Sequence, residues 1–415
     1  MPTLPATAEP EPFSGPVEFN PFLPEFRENP YPFYHRLRSA DPVHWNEFTG
    51  RWILTRYRDC VAVLRDSARF SADPNSWSGF AEFLAAQGGP GPMVQMQTKW
   101  MLLKDPPDHT RLRTLVTKAF TPRVAEGMRP RVQAIVDHLL DEVQAGGRMD
   151  LIATLAFPLP TIVICEMLGV PAADGERFQG WARDLARSLD PILTPEIIAA
   201  ADQATVAFLD YFRLLVAKRR QDPQNDLLSG LIAAEEQGDH LSEDELLATA
   251  ILLLGAGHET TMNLIGNGTL ALLRNPDQLA KLKSDPTLIQ NTVEELRRYD
   301  GSVQMTARTA LVDVELGGKV IQKGVQAITV LGAANRDPEQ FPDPDRLDIT
   351  RQDNRHIVFG YGIHHCLGAP LARVEGQVAI TTLLRRMPNL RLTGEPLEWR
   401  ETVTLRGLKA LPVAF

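Results

Sequence analysis

The sequence FGYGIHHCLGAPLAR, residues 359–373, is the most informative stretch of this chain. It places one cysteine, Cys366, at the end of a glycine-punctuated loop and at the start of an apolar-periodic helix. Gly360 and Gly362 allow a tight turn, while the loop N–H groups and the N-terminus of the helix favour a charged thiolate. The stretch therefore predicts a rigid, shielded thiolate that can bind a metal.

The composition is that of an ordinary globular protein. Of 415 residues, 44% are hydrophobic and 23% are charged, which is a typical globular balance. The net charge of −9 argues against a nucleic-acid binder, because such a protein needs a basic face. Cys60, Cys165 and Cys366 are far apart and form no Cys-x-x-Cys spacing, so they indicate neither a disulfide framework nor a structural zinc site.

The same features predict where the protein works. Unpaired cysteine usage favours the reducing cytoplasm. The N-terminal residues lack the apolar core of a signal peptide, and the longest apolar run, near residues 250–256, is far shorter than the roughly 20 residues that span a bilayer. We therefore expect a cytoplasmic protein without a membrane anchor.

Helical patterns dominate the chain. They run through residues 110–298 with proline or glycine between segments, whereas strand signals are short and concentrate at residues 311–330. Residues 1–25 predict a flexible N-terminal arm, and residues 71–104 predict a long irregular segment of the kind that forms lids. The predicted fold class is mainly α with small β regions, that is, α+β.

One long helix carries an unusual polar centre. Ser242 and Glu245 form a capping box, and the helix can continue to Arg274, before Asn275-Pro276. The segment LGAGHETT, residues 254–261, places two glycines, a carboxylate and two hydroxyls within otherwise apolar surroundings. Because each glycine costs about 1 kcal/mol relative to alanine and a buried carboxylate needs a partner, the segment indicates a site where Glu259 relays protons and Thr260 binds oxygen. The alternative is that the small residues merely allow close helix packing.

Four cationic or hydrogen-bonding residues lack an evident partner in the sequence. His109 and Arg113 share a helix face, Arg308 follows a turn, and His364 lies two residues before Cys366. If the metal is the iron of a haem, its two propionates require such groups for neutralisation. The alternative for each residue alone is a solvated surface charge.

Together these motifs resemble the cytochrome P-450 family of haem-thiolate monooxygenases, and the resemblance extends from about residue 33 to the C-terminus. Residues 359–373 meet the family's cysteine-loop pattern in full, and residues 256–261 match its oxygen-activating groove. Glu295 and Arg298 match its Glu-x-x-Arg pair, and Arg346 is similar to the third member of that network. His258 departs from the family because relatives often have an apolar residue there. It is either a neighbour of the proton path or a solvent-facing residue.

The resemblance implies a fold, a cofactor and a site. We expect the cytochrome P-450 fold as a single domain over residues 26–415, with haem b as the cofactor and Cys366 as the iron ligand. The resemblance assigns catalysis to Glu259 and Thr260. The implied cofactor-binding residues are His109, Arg113, Ala256, Arg308, Phe359, Gly360, His364, Cys366 and Gly368.

The resemblance also implies an activity. We expect a monomeric monooxygenase that uses O₂ to hydroxylate or epoxidise a lipophilic small molecule, such as a terpenoid, fatty acid, macrolide or other natural product. The chain has no flavin or iron–sulfur motif, so electrons would come from a ferredoxin and its NAD(P)H-dependent reductase. The pocket would be lined by residues 77–101, 252–256, 303–307 and 403–405. The alternatives are a peroxide-driven peroxygenase, a haem-thiolate sensor or carrier, and a zinc protein using His364, His365 and Cys366.

Overall fold

The computed structural model describes residues 19–171, 174–236 and 241–415. Most of the predicted arm, residues 1–18, lies outside this range. Within residues 19–25, which were also assigned to the arm, Phe19 is buried and contacts Phe26 edge-on at a ring separation of 5.7 Å.

Helices form most of the regular structure, as the sequence predicts. In chain order they are α1 (Pro24–Glu28), α2 (Tyr31–Ala40), α3 (Tyr57–Arg65), α4 (Phe80–Ala86), α5 (Pro92–Gln97), α6 (Asp108–Thr117), α7 (Pro122–Gly127), α8 (Arg129–Asp141), α9 (Pro158–Leu168), α10 (Gly175–Arg187), α11 (Pro195–Gln221), α12 (Leu227–Glu236), α13 (Glu243–Arg274), α14 (Pro276–Ser284), α15 (Ile289–Tyr299), α16 (Leu331–Ala334) and α17 (Ala369–Arg386).

The strands form three small sheets. In chain order they are β1 (Val43–Asn46), β2 (Arg51–Leu54), β3 (Phe70–Ser71), β4 (Arg148–Asp150), β5 (Met305–Ala310), β6 (Val314–Leu316), β7 (Lys319–Ile321), β8 (Gln326–Val330), β9 (Arg391–Leu392) and β10 (Pro412–Ala414). The largest sheet has the order β1-β2-β8-β5-β3, and the others are β4-β10-β9 and β6-β7.

Helix α13 runs through the interior of the fold. The predicted capping box is confirmed, because the Ser242 hydroxyl accepts from the Glu245 N–H and the Glu245 carboxylate accepts from the Ser242 N–H. The helix has 32 residues, which corresponds to roughly 48 Å at 1.5 Å per residue. It contacts α9, α11, α15 and α17, so nearly its whole length is buried. A helix in this position can present its central residues only to an internal cavity.

The prediction of an irregular segment over residues 71–104 is wrong. This segment contains α4 and α5. Phe80 and Phe83 stack on one face of α4 at a ring separation of 6.2 Å, and Pro92 starts α5 at a position where its missing N–H costs nothing. The proline and glycine residues mark the ends of these short helices, and the sequence analysis took them as a sign of a continuous loop.

A buried ion pair holds the chain that leads to the cysteine loop. Glu295 and Arg298 are both fully buried, with nitrogen–oxygen distances of 2.7 and 2.8 Å. The prediction that the Arg346 side chain completes this network is wrong: Arg346 contributes its backbone carbonyl to Arg298. The guanidinium that reaches Glu295 is that of Arg351, at 3.2 Å. The loop between Arg346 and Arg351 turns inward, so the later arginine is the one that meets the carboxylate.

Candidate active site

The cysteine loop is a tight turn built by two glycines. Gly360 and Gly362 both have φ of +70°, which strains any residue with a Cβ. A Cβ at Gly362 would also lie 2.6 Å from the carbonyl oxygen of Leu64. The turn closes when the Cys366 N–H donates to the Phe359 carbonyl at 2.8 Å, and Cys366 then leads directly into α17.

The surroundings of the Cys366 sulfur act on its charge in opposite directions. Burial raises the pKa of the thiol, whereas the N–H groups of Gly368 and Ala369 and the cations of Arg297 and Arg113 lower it. The Arg297 guanidinium lies over the ring of Phe359, the first residue of this loop, at 4.5 Å from the ring centre. Burial is the largest of these influences, so the pKa of the Cys366 thiol is raised overall, while the N–H groups and the arginines favour the thiolate.

Helix α13 also lines the cavity and remains a continuous helix through its polar centre. Ala256 is exposed although most of the helix is buried, and a Cβ at Gly255 would meet nothing within 4 Å. Gly257 instead touches Ile164 of α9, where a Cβ would lie 2.9 Å from the Ile164 side chain. The two glycines therefore have different roles: one faces open space and the other allows close helix packing.

Thr260 points into the cavity and Glu259 points away from it. The Thr260 hydroxyl donates to the Ala256 carbonyl at 3.1 Å, as the sequence predicts. Glu259 is 1% exposed, does not line the cavity, and accepts from Arg400 at 3.3 Å through one oxygen while its other oxygen has no partner. Burial raises the pKa of Glu259 to about 7, although Arg400 opposes the shift.

His258 is buried, which removes the solvent-facing alternative. Its ring packs edge-on against Phe157 at 5.8 Å, and its Nδ1 lies 3.3 Å from the Leu254 carbonyl. Burial lowers the pKa of His258 to about 4, so the ring is neutral near pH 7.

A single cavity of about 550 Å³ brings the predicted residues together. Of the predicted site residues, those that line it are Arg113, Ala256, Thr260, Arg308, Phe359, Gly360, His364, Cys366 and Gly368. His109 does not line the cavity but lies directly behind His364, with ring centres 4.3 Å apart. All four predicted pocket segments reach the cavity. Residues 252–256, 303–307 and 403–405 do so as expected, and the segment at residues 77–101 reaches it only at its end, through Gln97, Trp100 and Met101.

Comparisons with known proteins identify the family. A family model for cytochrome P450 matches residues 192–390. The cytochrome P450 monooxygenase PikC of Streptomyces venezuelae is 45% identical, over 94% of this chain and 92% of its own. The 6-deoxyerythronolide B hydroxylase of Saccharopolyspora erythraea is 42% identical, over 92% of this chain and 95% of its own. The chain belongs to the cytochrome P450 family.

The backbone of this P450 agrees with that assignment. The crystal structure of P450BioI, in complex with an acyl carrier protein ligated to hexadec-9Z-enoic acid, matches it with a TM-score of 0.87 at 42% identity, covering 94% of this chain and 99% of that one. The predicted mainly helical P450 fold with small β regions is confirmed. This P450 is a monooxygenase, and its cofactor is haem b.

The residues present fit a haem with two carboxylate arms. Both ring nitrogens of His109 and Nε2 of His364 are buried and have no hydrogen-bond partner among the residues that the structure describes. Arg308 donates to the Ala307 carbonyl at 2.7 Å, and Arg113 donates to the His365 carbonyl at 2.5 Å. Burial lowers the pKa of Arg308 to about 10. Two buried imidazoles with unused nitrogens beside two arginines need anionic oxygen atoms, which the propionates of a haem provide.

The sequence analysis missed several parts of the cavity. Among them are Ala182, Leu185, Ala186 and residues 188–191, at the end of α10 and in the following loop, and Glu375 of α17. Glu375 is 2% exposed and bonds to Thr261, and burial raises the pKa of its carboxyl to about 8. A lone glutamate within the apolar face of α17 was the available signal, since Leu371 and Glu375 are four residues apart.

Within residues 19–171, 174–236 and 241–415, no three side chains of His, Cys, Asp or Glu cluster as a metal site would require. In the same ranges, none of the helices combines the length and hydropathy that spanning a bilayer requires.

Proposed function

We propose that Cys366 is the ligand of the haem iron and that this P450 hydroxylates or epoxidises a lipophilic small molecule held in the cavity beside Thr260. The observation that carries this proposal is the shared cavity. Cys366 lines it, and so do Ala256 and Thr260 on one turn of α13, while His258 and Glu259 of the same turn are buried. Most of the remaining lining is apolar, which suits a lipophilic ligand.

Different groups of residues around the cavity have different proposed roles. The Gly368 and Ala369 N–H groups and the Arg297 cation stabilise the Cys366 thiolate. His109, Arg113, Arg308 and His364 would hold the propionates, while Ala256, Phe359, Gly360 and Gly368 leave room for the porphyrin. When bound, the haem supplies oxygen activation, and its thiolate ligand favours cleavage of the O–O bond.

Protons for this chemistry would come through α13. Thr260 offers a hydroxyl at the cavity wall, where it can hold a proton or bind an oxygen atom by a hydrogen bond. Glu259 lies behind it with a pKa of about 7, so the carboxyl can gain and lose a proton near neutral pH. Because Glu259 bonds to Arg400 and not to Thr260, a rotation of its side chain or a water would have to complete the path.

Substrate class and electron supply are proposed on separate grounds. One relative is named 6-deoxyerythronolide B hydroxylase, and P450BioI is seen in complex with an acyl carrier protein ligated to hexadec-9Z-enoic acid. The apolar cavity of this chain suits terpenoids, fatty acids and macrolides. Electrons would come from a ferredoxin and an NAD(P)H-dependent reductase, because the chain has no flavin or iron–sulfur motif. The Thr260 hydroxyl favours this route over a peroxide-driven one. The three unpaired cysteines favour a reducing compartment, and the protein would work in the cytoplasm as a monomer.

The test is a spectrum followed by turnover. We expect the reduced, carbon monoxide-bound protein to show the thiolate-type Soret band. Lipophilic compounds that enter the cavity should shift the haem spin state, and the ones that do so should be oxidised when ferredoxin, reductase and NAD(P)H are added. A protein with the band that accepts electrons but oxidises none of these compounds would support the sensor or carrier alternative.

Replacing Thr260 should separate electron use from product formation. In Thr260→Ala the wall hydroxyl is lost, and since proton delivery by a placed group is worth about 10²–10⁴-fold, we expect the product formed per NAD(P)H to fall at least about tenfold while hydrogen peroxide is released. Product and peroxide are both measured. Thr260→Ser keeps a hydroxyl and should retain coupling. Equal coupling in wild type and Thr260→Ala would remove Thr260 from the mechanism.

Replacing Glu375 should change how stability depends on pH. The folded carboxyl has a pKa of about 8 against an ordinary value of 4.5, so between these values the folded state holds a proton that the unfolded state releases. The resulting stability is complete below pH 4.5 and is lost as the pH rises through 8. Glu375→Gln cannot ionise, so from pH 5.5 to 8 its free energy of unfolding should gain about 1–3 kcal/mol relative to wild type.

Urea unfolding of the haem-loaded protein at the two pH values measures this difference. Glu398→Gln is the matched control, because the Glu398 side chain is exposed. Between the two pH values, its free energy of unfolding should change by the same amount as that of wild type. If the free energy of unfolding of Glu375→Gln also changed by the same amount as that of wild type, the Glu375 carboxyl would be ionised in the folded protein.

A further inference from the structure

Arg51 is a cation in the cavity wall that has no acidic partner in the described structure. It is the first residue of β2, and its side chain lines the same cavity as Cys366. Its Nη1 donates to the Pro191 carbonyl, its guanidinium lies 5.1 Å over the Trp77 ring, and its Nε is buried without a hydrogen-bond partner. Burial lowers the pKa of the Arg51 guanidinium. A guanidinium in this position gains most from an anion.

Two polar residues on the neighbouring strands lie in line with Arg51. Arg51 precedes Trp52, which pairs with Ala327, and Gln326 precedes Ala327 and pairs with Thr309. Since side chains on neighbouring strands share a face when their residues are adjacent, Arg51, Gln326 and Thr309 lie side by side across three strands. All three line the cavity.

The next rows on the same face are apolar. Two residues further along, Ile328 pairs with Ala307, and beyond them Met305 pairs with Val330. Ile328, Ala307 and Met305 line the cavity too. Successive rows on one face are separated by about 7 Å. The face of the sheet that carries Arg51 therefore changes from one polar, cationic row to apolar rows, which matches a ligand with a charged head and an apolar tail. Thr306 and Arg308 also line the cavity, from alternate positions of β5 that belong to the other face.

The other polar groups of this region satisfy one another. Gln97 donates to the Ser188 hydroxyl at 2.6 Å, and Ser188 donates to the Leu185 carbonyl at 2.5 Å. One oxygen of Asp190 accepts from the N–H groups of Val403 and Thr404 at 3.0 and 2.8 Å. Asp190 also lines the cavity, so it is the group that would recognise a cationic ligand if the polar end were built for one.

We propose that Arg51, with Gln326 and Thr309, binds the carboxylate of an elongated apolar acid. This inference rests on the proposed function and narrows its substrate to a lipophilic carboxylic acid. A carboxylate can accept two N–H groups from one guanidinium, and the hydroxyl and amide of the row can add neutral hydrogen bonds. With the head held there, the tail lies along Ala307 and Met305, so oxidation falls on the chain away from the carboxyl group.

Calorimetric titration of the haem-loaded protein with dodecanoic acid and dodecan-1-ol tests this assignment. Wild type should bind the acid more tightly than the alcohol. Hydrogen bonds to charged groups contribute about 1.5–3 kcal/mol, which corresponds to about a tenfold to hundredfold change in Kd, so Arg51→Ala should weaken acid binding by that factor and leave alcohol binding unchanged. Arg51→Lys should retain part of the preference. Arg187→Ala, an arginine at the end of α10 that does not line the cavity, should behave as wild type.

The remaining outcomes separate this proposal from the function beneath it. Equal weakening of both ligands in Arg51→Ala would overturn it, because Arg51 would then act only by holding the loop at Pro191. A wild type that prefers the alcohol, or that prefers dodecylamine through Asp190, would also overturn it while the monooxygenase function stands. Binding of none of the three compounds would overturn the carboxylate site, and the spin-state shifts with other lipophilic compounds would then decide the lipophilic substrate class separately.

Discussion

Cys366→Ser is expected to abolish the thiolate-type Soret band and to reduce oxidation of any substrate to the level of haem-free protein. Serine has nearly the shape of cysteine, but its hydroxyl does not ionise near neutral pH and cannot replace a thiolate as an electron-donating ligand. The turn of Gly360 and Gly362 does not depend on the sulfur, so the fold should persist. The reduced, carbon monoxide-bound spectrum and the product yield measure the effect.

The other two cysteines are the matched controls for this experiment. Cys60 and Cys165 are both buried, and neither lines the cavity. Cys60→Ala and Cys165→Ala should therefore keep the spectrum of wild type. Persistence of the thiolate-type band in Cys366→Ser, or its loss in either control, would contradict the assignment of Cys366 as the ligand.

The largest loss of stability is expected for Glu295→Ala. Removing one member of a fully buried ion pair costs about 3–5 kcal/mol, because the remaining charge is left uncompensated. Arg298 would then be buried with only carbonyl partners, and the N–H of Asp348 and the side chain of Asn354 would lose their acceptor. Because these contacts hold the chain before the cysteine loop, haem should be released at lower urea concentration than in wild type.

An exposed ion pair provides the comparison for Glu295. Glu339 and Arg58 are 3.2 Å apart, with both side chains more than half exposed, and such pairs contribute at most about 1 kcal/mol. Glu339→Ala should therefore leave the urea midpoint nearly unchanged when unfolding is followed by circular dichroism and haem absorbance. If Glu295→Ala shifted the midpoint no more than Glu339→Ala does, the buried pair would not be what holds this region.

Features carried by short-range spacing were predicted well. The capping box of Ser242 and Glu245, the bond from Thr260 to the Ala256 carbonyl, and the Glu295–Arg298 pair each join residues three or four apart. A helix brings such residues together whatever surrounds it. The predictions for residues 71–104 and for Arg346 were wrong because proline and glycine spacing cannot distinguish a loop from short helices, or locate where a loop turns inward.

The chain's own order of residues was enough to place Cys366 on a rigid turn before a helix, to class the protein as mainly helical, and to name nine of the residues that line one cavity. Other features depend on how helices cross and how strands pair: that Glu259 faces Arg400, that Glu375 reaches the cavity from α17, and that Arg51 lies in line with Gln326 and Thr309. Glu259 and Arg400 are 141 positions apart, Thr261 and Glu375 are 114 apart, and Arg51 and Gln326 are 275 apart. Local periodicity fixes the face on which a side chain lies, whereas packing between distant elements sets what that face meets.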